Sequence, residues 1–312
     1  SITGIGFTPD FVWMKARHNT WVSGMYDSVR GPLWELSSDN NLADAIESDS
    51  LFSFDNDGFS YGTRVVGNED GGRYVAWCWQ AGAGTTSANT DGTINSVISV
   101  NQDAGFSIVS YTGNGTAPST VGHGLNKAPS LIINKNRSSV SSWVIQHNSL
   151  GWNQGFLGWS TVAATSSTAF SNNTAPTNNV FTISNYSVNN NDNYIAYCWA
   201  EIEGFSKFGI YTGNGNADGP FVYCGFKPAF VMMKRTDSTS NWTLHDNARD
   251  STNPASFVLY PNLTDAEFDF DRLDILSNGF KQRSTSSTTN ASGGTYIFAA
   301  FAESPFTTAN AK

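Results

Sequence analysis

The segment "YIAYCWAE" (Tyr194–Glu201) decides the fold because it occurs in three variants along the chain. The variants "YVAWCWQ" (Tyr74–Gln80) and "YIFAAFAE" (Tyr296–Glu303) align with it residue for residue. Their spacing corresponds to about one small domain per copy. A fixed internal period is the signature of a tandem array, so we predict three copies of one structural unit.

A second element also occurs three times, as an apolar run that begins at a proline and ends at a lysine six residues later. The three pairs are Pro9 and Lys15, Pro129 and Lys135, and Pro228 and Lys234. Proline suits the first residue of a strand, and we expect each lysine to mark the point where the strand returns to water. Each copy then reaches a tryptophan on the following strand, namely Trp21, Trp143 and Trp242.

The motif "YTGNG" occurs only twice, at Tyr111–Gly115 and Tyr211–Gly215. It predicts a strand that ends in a tight turn with positive φ. The first copy has no such motif, so either its sheet has fewer strands or the chain is part of a longer parent protein. We favour the longer parent, because a missing edge strand leaves unpaired backbone.

The composition favours strands over helices. Charged residues make up only 14% of the chain, and there are 29 glycines. Ser, Thr, Asn and Gly therefore build the polar surface, as in proteins made of many short strands. We predict an all-β fold of three tandem β-sandwich-like units, each about 100 residues long. The expected domains are residues 1–82, 83–203 and 204–312, and the stretch "AGAGTTSANTDGT" (81–93) is predicted to be a linker.

Charge and hydropathy exclude several partners. The net charge is −9 and no basic cluster is present, so nucleic acid is not an expected partner. No apolar run reaches the roughly 18 residues of a membrane span, and the first residues lack the pattern of a signal peptide. We therefore expect no membrane insertion.

The three cysteines, Cys78, Cys198 and Cys224, cannot all pair within one chain, and no C-x-x-C spacing suggests zinc. Two of them occupy the same place in different repeats, which favours free buried thiols over a disulfide. We expect no cofactor and no metal. The stretch "DNDG" (Asp55–Gly58) resembles the start of a calcium loop, but the later ligands of such a loop are missing, so a turn is favoured.

Two Trp-led stretches form the candidate ligand site. "WVIQHN" brings Trp143 together with His147, and "WTLHD" brings Trp242 together with His245 and Asp246. An exposed indole can stack on a sugar ring while neighbouring polar groups bind its hydroxyls. The alternative is that the tryptophan belongs to the core and the histidine caps a strand end, as its recurrence at one position suggests.

The one segment that suits a hydrolase is "DAEFDFDRLD", with acids at Asp265, Glu267, Asp269, Asp271 and Asp274. Glycoside cleavage needs two carboxyl groups facing each other across a cleft. Acids that alternate with phenylalanines are more typical of the exposed face of a strand, and the other two copies have no matching acid pair. We therefore do not expect an enzyme, and a polysaccharide depolymerase remains an alternative.

Three long stretches of the chain resemble a known repeat module. They are residues 105–137, 194–242 and 290–306, which together carry both "YTGNG" motifs and the last two Tyr-led strands. Similar modules occur as tandem C-terminal domains in tail and tail-fibre proteins of marine bacteriophages, often downstream of concanavalin-like lectin domains. The resemblance implies a virion location and supplies no catalytic residues.

From this resemblance and the residues we expect a phage virion structural protein, a distal tail-fibre segment that contacts the host surface and binds glycan. Its expected location is the virion, outside the cell. Its expected partners are other copies of itself in a homo-oligomer such as a trimer, other virion proteins and a host surface glycan. The alternative is a structural protein that decorates a capsid or builds a filament.

Overall fold

The computed structural model describes residues 1–189 and 191–304. The chain divides into two compact units. Unit 1 comprises Ser1–Trp159 and Ser166–Ala200, and unit 2 comprises Ser160–Thr165 and the chain from Glu201 onward. We refer to residues 1–82, 83–203 and 204–312 as repeats 1, 2 and 3. Repeats 1 and 2 thus share unit 1, apart from residues 160–165 and 201–203, and the boundary expected after residue 203 lies close to the start of unit 2 at Glu201.

Repeat 1 contains eight short strands and one helical turn. They are β1 (Ile2–Thr3), β2 (Phe11–Ala16), β3 (Gly24–Asp27), β4 (Trp34–Glu35), β5 (Ala45–Ile46), β6 (Leu51–Asp55), β7 (Gly58–Tyr61), α1 (Val65–Asn68) and β8 (Tyr74–Trp79). The strands form antiparallel sheets with the orders β3-β2-β8, β1-β7-β6 and β4-β5. Val12 and Met14 of β2 pack against Leu51 and Phe59 of the second sheet, so apolar residues fill the space between the two sheets.

Repeat 2 contributes the largest sheet. Its elements are β9 (Ser87–Asn89), β10 (Ser96–Asn101), β11 (Phe106–Thr112), β12 (Ser119–Gly122), β13 (Leu131–Asn136), β14 (Val144–His147), a 3₁₀ turn (Asn148–Leu150), β15 (Gln154–Leu157), β16 (Thr165–Ser166), β17 (Val180–Ile183) and β18 (Asn193–Trp199). The eight-stranded order is β16-β15-β14-β13-β18-β11-β10-β9, and β12 pairs with β17. Val121 and Phe181 of the small sheet pack on Ala196 and Cys198 of the large one.

Repeat 3 has the same plan in a simpler form. Its elements are β19 (Ser206–Thr212), β20 (Phe221–Tyr223), β21 (Pro228–Arg235), β22 (Trp242–Asp246), β23 (Ala255–Val258), β24 (Phe268–Leu276), β25 (Gly279–Gln282), α2 (Ser287–Asn290) and β26 (Thr295–Ala302). Two four-stranded sheets, β19-β26-β21-β22 and β20-β25-β24-β23, enclose an apolar core. The predicted all-β, sandwich-like architecture is therefore confirmed.

The strand register confirms the alignment of the three copies. In each repeat the Pro-led strand pairs with the Tyr-led strand, so that Val12 faces Cys78, Ile132 faces Cys198 and Val231 faces Ala300. The lysines keep this register as well, with Lys15 opposite Val75, Lys135 opposite Ile195 and Lys234 opposite Ile297. Residues at matching register positions can therefore be compared directly between repeats.

The stretch 81–93 is ordered structure and not a linker, so that prediction was wrong. Residues Ser87–Asn89 form β9 at the edge of the large sheet. The buried carboxylate of Asp10 accepts hydrogen bonds from the backbone N–H groups of Ala81 (2.7 Å), Ala83 (2.8 Å) and Gly84 (2.8 Å). A distant carboxylate therefore holds a Gly- and Ala-rich stretch whose composition alone suggested flexibility.

Candidate functional site

Trp143 and Trp242 occupy the same register position and both are buried. Trp143 is 1% exposed and Trp242 is 0% exposed. The indole Nε1 of Trp143 donates to the carbonyl oxygen of Ser37, 3.0 Å away. In unit 1, Trp143 thus contacts a segment that lies more than 100 residues earlier, and it has no open ring face.

The two histidines do not occupy equivalent positions. His147 pairs with Leu131, whereas His245 pairs with Val231, one register position away from the equivalent of Leu131. Asp246 is the true counterpart of His147 in repeat 3. The different Trp-to-His spacing in the two motifs therefore puts the imidazoles on opposite faces of their strands.

The side chains at these positions stabilise the local structure. His147 Nδ1 accepts a hydrogen bond from the Ser149 N–H (3.2 Å) and caps the 3₁₀ turn. Asp246 accepts from Arg249 Nε (2.6 Å), and Asp27 forms the same buried pair with Arg30 in repeat 1. In both repeats the second guanidinium nitrogen donates to a strand carbonyl, at Leu244 or at Met25.

These observations correct the interpretation of the candidate site. All five predicted residues lie in the interior. A pyranose cannot stack on an indole whose faces are covered by protein, so this set offers no sugar-binding surface. The core alternative describes the two tryptophans, and strand-end capping describes His147.

Trp21 was expected to match Trp143 and Trp242, but the register places Ser23 at their position. Trp21 is half-buried, and its Nε1 donates to Glu69 Oε2 at 3.0 Å. His18 Nε2 lies at the same distance from that oxygen. Hydrogen bonds from Trp21 and His18 hold the pKa of Glu69 below its ordinary value.

One register position carries a polar side chain that points into the sandwich in every repeat. Its occupants are Tyr26, Gln146 and His245. Gln146 Nε2 donates to Ser171 Oγ at 3.1 Å, and the Tyr26 hydroxyl donates to Glu35 at 2.5 Å. Neither ring nitrogen of His245 has a hydrogen-bond partner among the described residues. Burial, reinforced by the positive charge of Arg249, lowers the pKa of His245 to about 3.

The repeated lysines contradict the sequence prediction most clearly. All three were expected to reach water, but Lys15, Lys135 and Lys234 are at most 1% exposed. Lys135 Nζ donates to the carbonyl oxygens of Asn136 (2.7 Å) and Asn41 (3.4 Å). A buried ammonium needs such acceptors, because removing a cation from water is costly.

The same arrangement recurs in unit 2. Lys234 Nζ donates to the carbonyl oxygens of Ser240 (2.6 Å) and Thr161 (3.1 Å). The carbonyl of Thr161 also accepts the Ser240 N–H (2.8 Å), just as the carbonyl of Asn41 accepts the Ser141 N–H (2.9 Å). Burial lowers the pKa of Lys135 and of Lys234 to about 8.

We call residues 37–44 the docking segment, because several of its groups bind the strands of repeat 2. Besides the bonds to Ser37 and Asn41, the carboxylate of Asp44 accepts from Arg137 Nε at 2.5 Å. The guanidinium of Arg137 also lies over the ring of Trp34, 5.6 Å from its centroid. Sequence reasoning missed this cluster because the docking segment has no distinctive motif.

The acid-rich segment does not form an open carboxylate pair among the side chains that the structure describes. Glu267 is paired with Arg249 (3.3 Å), Asp269 with Arg272 (3.2 Å) and Asp274 with Arg283 (2.6 Å). Asp265 is exposed, and the side chain of Asp271 lies outside the described residues. Pairing with arginine occupies the carboxylate oxygens.

The cysteines are free, as predicted, with Cys198 and Cys224 buried and Cys78 half-buried. Burial raises the pKa of Cys78 and Cys224 to about 12, so neither thiol is activated for nucleophilic chemistry. The "DNDG" stretch is a turn whose carboxylates are bonded: Asp57 accepts from the N–H of Gly4 and of Gly6. In the part of the chain that the structure describes, no group of His, Cys, Asp or Glu is arranged to hold a metal ion.

An open cleft of about 500 Å³ lies in unit 1, away from all five predicted site residues. Its lining residues are Ala81, Gly82, Thr85, Val100, Asn101, Gln102 and Asp103. Among the described residues, no helix is long and apolar enough to cross a membrane.

The docking contact generates a mutational prediction. Replacing Lys135 by Met keeps the apolar stem but removes the donor to Asn41. We expect the free energy of unfolding to fall by about 1 kcal/mol and amide exchange at Ser141 and in residues 41–44 to become faster by roughly tenfold. Lys127→Met, at an exposed lysine of the same repeat, is the matched control. Unchanged exchange in the docking segment would show that the lysine does not hold it.

His245 generates a pH prediction. Its pKa is about 3 in the folded chain, and the ordinary value of 6.5 applies after unfolding. Between these values the unfolded chain binds the additional proton, so this residue makes stability fall as the pH is lowered from 6.5 towards 3. His245→Gln, which installs the residue found at this position in repeat 2, should reduce that loss by about 3 kcal/mol at pH 4. Denaturation curves at several pH values measure the difference, and parallel pH profiles for the two proteins would contradict it.

Comparison with known proteins gives a family but no function. No curated protein and no solved structure matches the chain. The family model described as a domain of unknown function, DUF7483, matches residues 1–305. Since this match covers nearly the whole sequence, the chain belongs to the DUF7483 family.

Proposed function

We propose that this chain is an architectural protein of a bacteriophage virion and forms a segment of a distal tail fibre. The resemblance of residues 105–137, 194–242 and 290–306 to tail-fibre repeat modules supports the location. The internal geometry supports the architectural role. The chain works by presenting a stable, repeated scaffold and not by chemistry at an active site.

The observation that carries the proposal is the docking of one repeat on the next inside unit 1. Repeat 1 contributes backbone carbonyls at Ser37 and Asn41, and repeat 2 contributes the donors Trp143 and Lys135. These donors bind backbone carbonyls, so the contact depends on the backbone conformation of the docking segment and tolerates substitutions of the side chains at Ser37 and Asn41. Such a contact suits a module that is reused along an array.

An aromatic layer reinforces this contact. Phe11 of repeat 1 stacks on Tyr197 of repeat 2 with 4.4 Å between the ring centroids. Trp79 lies 5.9 Å from Trp199, which in turn stacks on Phe106. Aromatic pairs of this kind stabilise a structure by roughly 0.5–1.5 kcal/mol each beyond their burial.

A buried ion pair sits beside that layer. The Tyr197 hydroxyl donates to Asp27 Oδ2 at 2.8 Å, and Asp27 is also held by Arg30. Both partners of the ion pair belong to repeat 1, so separating the repeats removes the hydrogen bond from Tyr197 and exposes a charged pair that is otherwise buried. The described chain achieves this cohesion without a disulfide, since its three cysteines are free.

The properties of the surface agree with an extracellular scaffold. Only 14% of residues are charged, and the net charge is −9. Stability therefore depends little on surface ion pairs, which salt screens. A protein exposed to sea water or to other variable media gains from this independence.

Self-association and host contact extend the proposal. Fibre segments function as assemblies of several copies, so we propose that the chain forms a homo-oligomer. A trimer is the first state to test, by comparing the mass of the assembly in solution with the subunit mass of 33.7 kDa. Several weak contacts to host glycan would then add through multivalency. The five buried residues do not supply those contacts, so host binding must use other surfaces.

Location in the particle is the test of this function. Native phage particles that carry the chain should bind gold-labelled antibodies against it at the tail tip, and the label should disappear when the antibody is first absorbed with the purified chain. Electron micrographs measure the position directly. Label spread over the capsid lattice or along a filament would contradict the tail-fibre proposal and favour the decoration alternative.

A further inference from the structure

The strand β8 lies at the end of its sheet, whereas its counterparts lie in the middle of theirs. The order in repeat 1 is β3-β2-β8, but β18 has β11 on its far side and β26 has β19. Both additional strands end in "YTGNG". Among residues 1–189 and 191–304, no strand pairs with the far edge of β8.

The exposure of β8 reflects this difference. Val75, Ala76 and Cys78 are half-buried. The equivalent residues of repeats 2 and 3 are at most 3% exposed: Ile195, Ala196, Cys198, Ile297, Phe298 and Ala300. The edge of β8 is therefore built like a central strand.

The loop that precedes β8 makes the same two tyrosine hydrogen bonds as the loop that receives "YTGNG" in repeat 3. The Tyr74 hydroxyl donates to the Val65 carbonyl (2.5 Å) and accepts the Glu69 N–H (2.9 Å). Tyr296 makes the two equivalent bonds in repeat 3, to Ser287 (2.8 Å) and from Ala291 (2.7 Å). The loop thus keeps this shape without a strand beside it.

The left-handed residue of this loop is also retained. Gly71 has φ +70°, and its counterparts Asn191 and Gly293 have φ +62° and +73°. In repeats 2 and 3 the N–H of that residue donates to the first glycine of "YTGNG", at Gly113 or Gly213. Repeat 1 therefore presents the same donor in the same conformation.

Three backbone groups in this loop match bonds that "YTGNG" makes elsewhere. In repeat 2, Gly113 N–H donates to the Asp192 carbonyl, and Gly115 N–H donates to the Val188 carbonyl. In repeat 3, Gly213 and Gly215 make the same bonds to Gly294 and Asn290. The corresponding groups of repeat 1 are the carbonyls of Asn68 and Gly72 and the N–H of Gly71, and none of the three has a backbone partner in the described chain.

The tyrosine that begins the Tyr-led strand stacks on the tyrosine of a "YTGNG" motif in repeats 2 and 3. Tyr111 stacks on Tyr194 with 5.0 Å between centroids, and Tyr211 stacks on Tyr296 at the same distance. Tyr74 is the counterpart of Tyr194 and Tyr296, and it is half-buried.

We propose that the edge of β8 and the loop 67–74 form an acceptor site for a β-strand of the "YTGNG" type, supplied by a further repeat of the same kind. The strand adds to the sheet by main-chain hydrogen bonds, its tyrosine stacks on Tyr74, and its two glycines bind the loop. The inference rests on the internal comparison of the repeats and holds whether or not the chain is a virion protein.

The first glycine gives the site its specificity. A Cβ at Gly113 would lie 2.1 Å from the Asn189 carbonyl oxygen, and one at Gly213 would lie 2.4 Å from the Ala291 carbonyl oxygen. Both distances are far shorter than any van der Waals contact, so alanine cannot occupy this position without displacing the loop. The equivalent carbonyl in repeat 1 belongs to Glu69. A strand with any other residue at this position therefore cannot fit the loop in the same way.

The first experiment uses the chain and a synthetic peptide with the sequence of residues 105–115, "GFSIVSYTGNG". Hydrogen exchange of the chain is measured with and without an excess of the peptide. We expect amides in residues 68–72 and 74–79 to exchange about tenfold more slowly when the peptide is bound. The matched control is the same peptide carrying Gly113→Ala, which should give no protection.

A second experiment joins the strand covalently to the chain, so that the result does not depend on how tightly a separate peptide binds. The sequence of residues 105–119 is joined ahead of Ser1, because Thr120 corresponds to Ser1 in the register of the small sheets. The extended chain should show the same protection and a higher unfolding midpoint than the same extension carrying Gly113→Ala.

Either of two results would overturn the proposal. One is that neither the peptide nor the extension protects β8. The other is that the glycine and alanine versions protect it equally, which would make the edge a nonspecific strand-pairing surface.

Discussion

The structure depends on the burial of a lysine ammonium group at one register position of each repeat. A cation inside a sandwich must be surrounded by hydrogen-bond acceptors, and the free-energy cost of leaving it without them is several kcal/mol. Lys135 and Lys234 each obtain one carbonyl acceptor from their own repeat and a second one, Asn41 or Thr161, from a segment that precedes that repeat in sequence. The lysine therefore fixes the path of the docking segment, and that path brings Ser37 to Trp143 and Asp44 to Arg137. The strand that carries the buried lysine is therefore stable only when the preceding segment is docked against it.

The sequence predicted much of the fold because the fold is repeated. The three Tyr-led strands correspond in the structure as they do in the sequence alignment, and repeat 1, which has no "YTGNG" motif, has a sheet of three strands at this place. A sheet with fewer strands was one of the two alternatives that the missing motif left open. Errors arose where a residue's partner is distant in sequence. Lys135 was expected to reach water because nothing near it in sequence indicated a buried acceptor. Its acceptor Asn41 lies 94 residues away. The stretch 81–93 was expected to be flexible because the carboxylate of Asp10, which holds it, lies 71 residues before Ala81.

The candidate site illustrates a different limit. Trp143 and Trp242 recur at one position, and recurrence is what both a repeated binding site and a repeated core residue produce. Burial separates the two interpretations, and it was not visible in the motif. Spacing did contain a useful signal. His147 follows Trp143 by four positions but His245 follows Trp242 by three, and this difference excludes equivalent geometry on a strand. Register, not residue type, decides which side chains correspond, and it assigns Asp246 to the place of His147.

The pKa of the buried lysines is the measurement that tests this account most directly. Lysine side-chain nitrogens can be followed by ¹⁵N NMR as the pH is raised. The account predicts resonances that titrate near pH 8, one of which disappears in Lys135→Met and another in Lys234→Met. If every lysine instead titrated near the ordinary value of about 10.4, the ammonium groups would be in water and the docking contact would not exist.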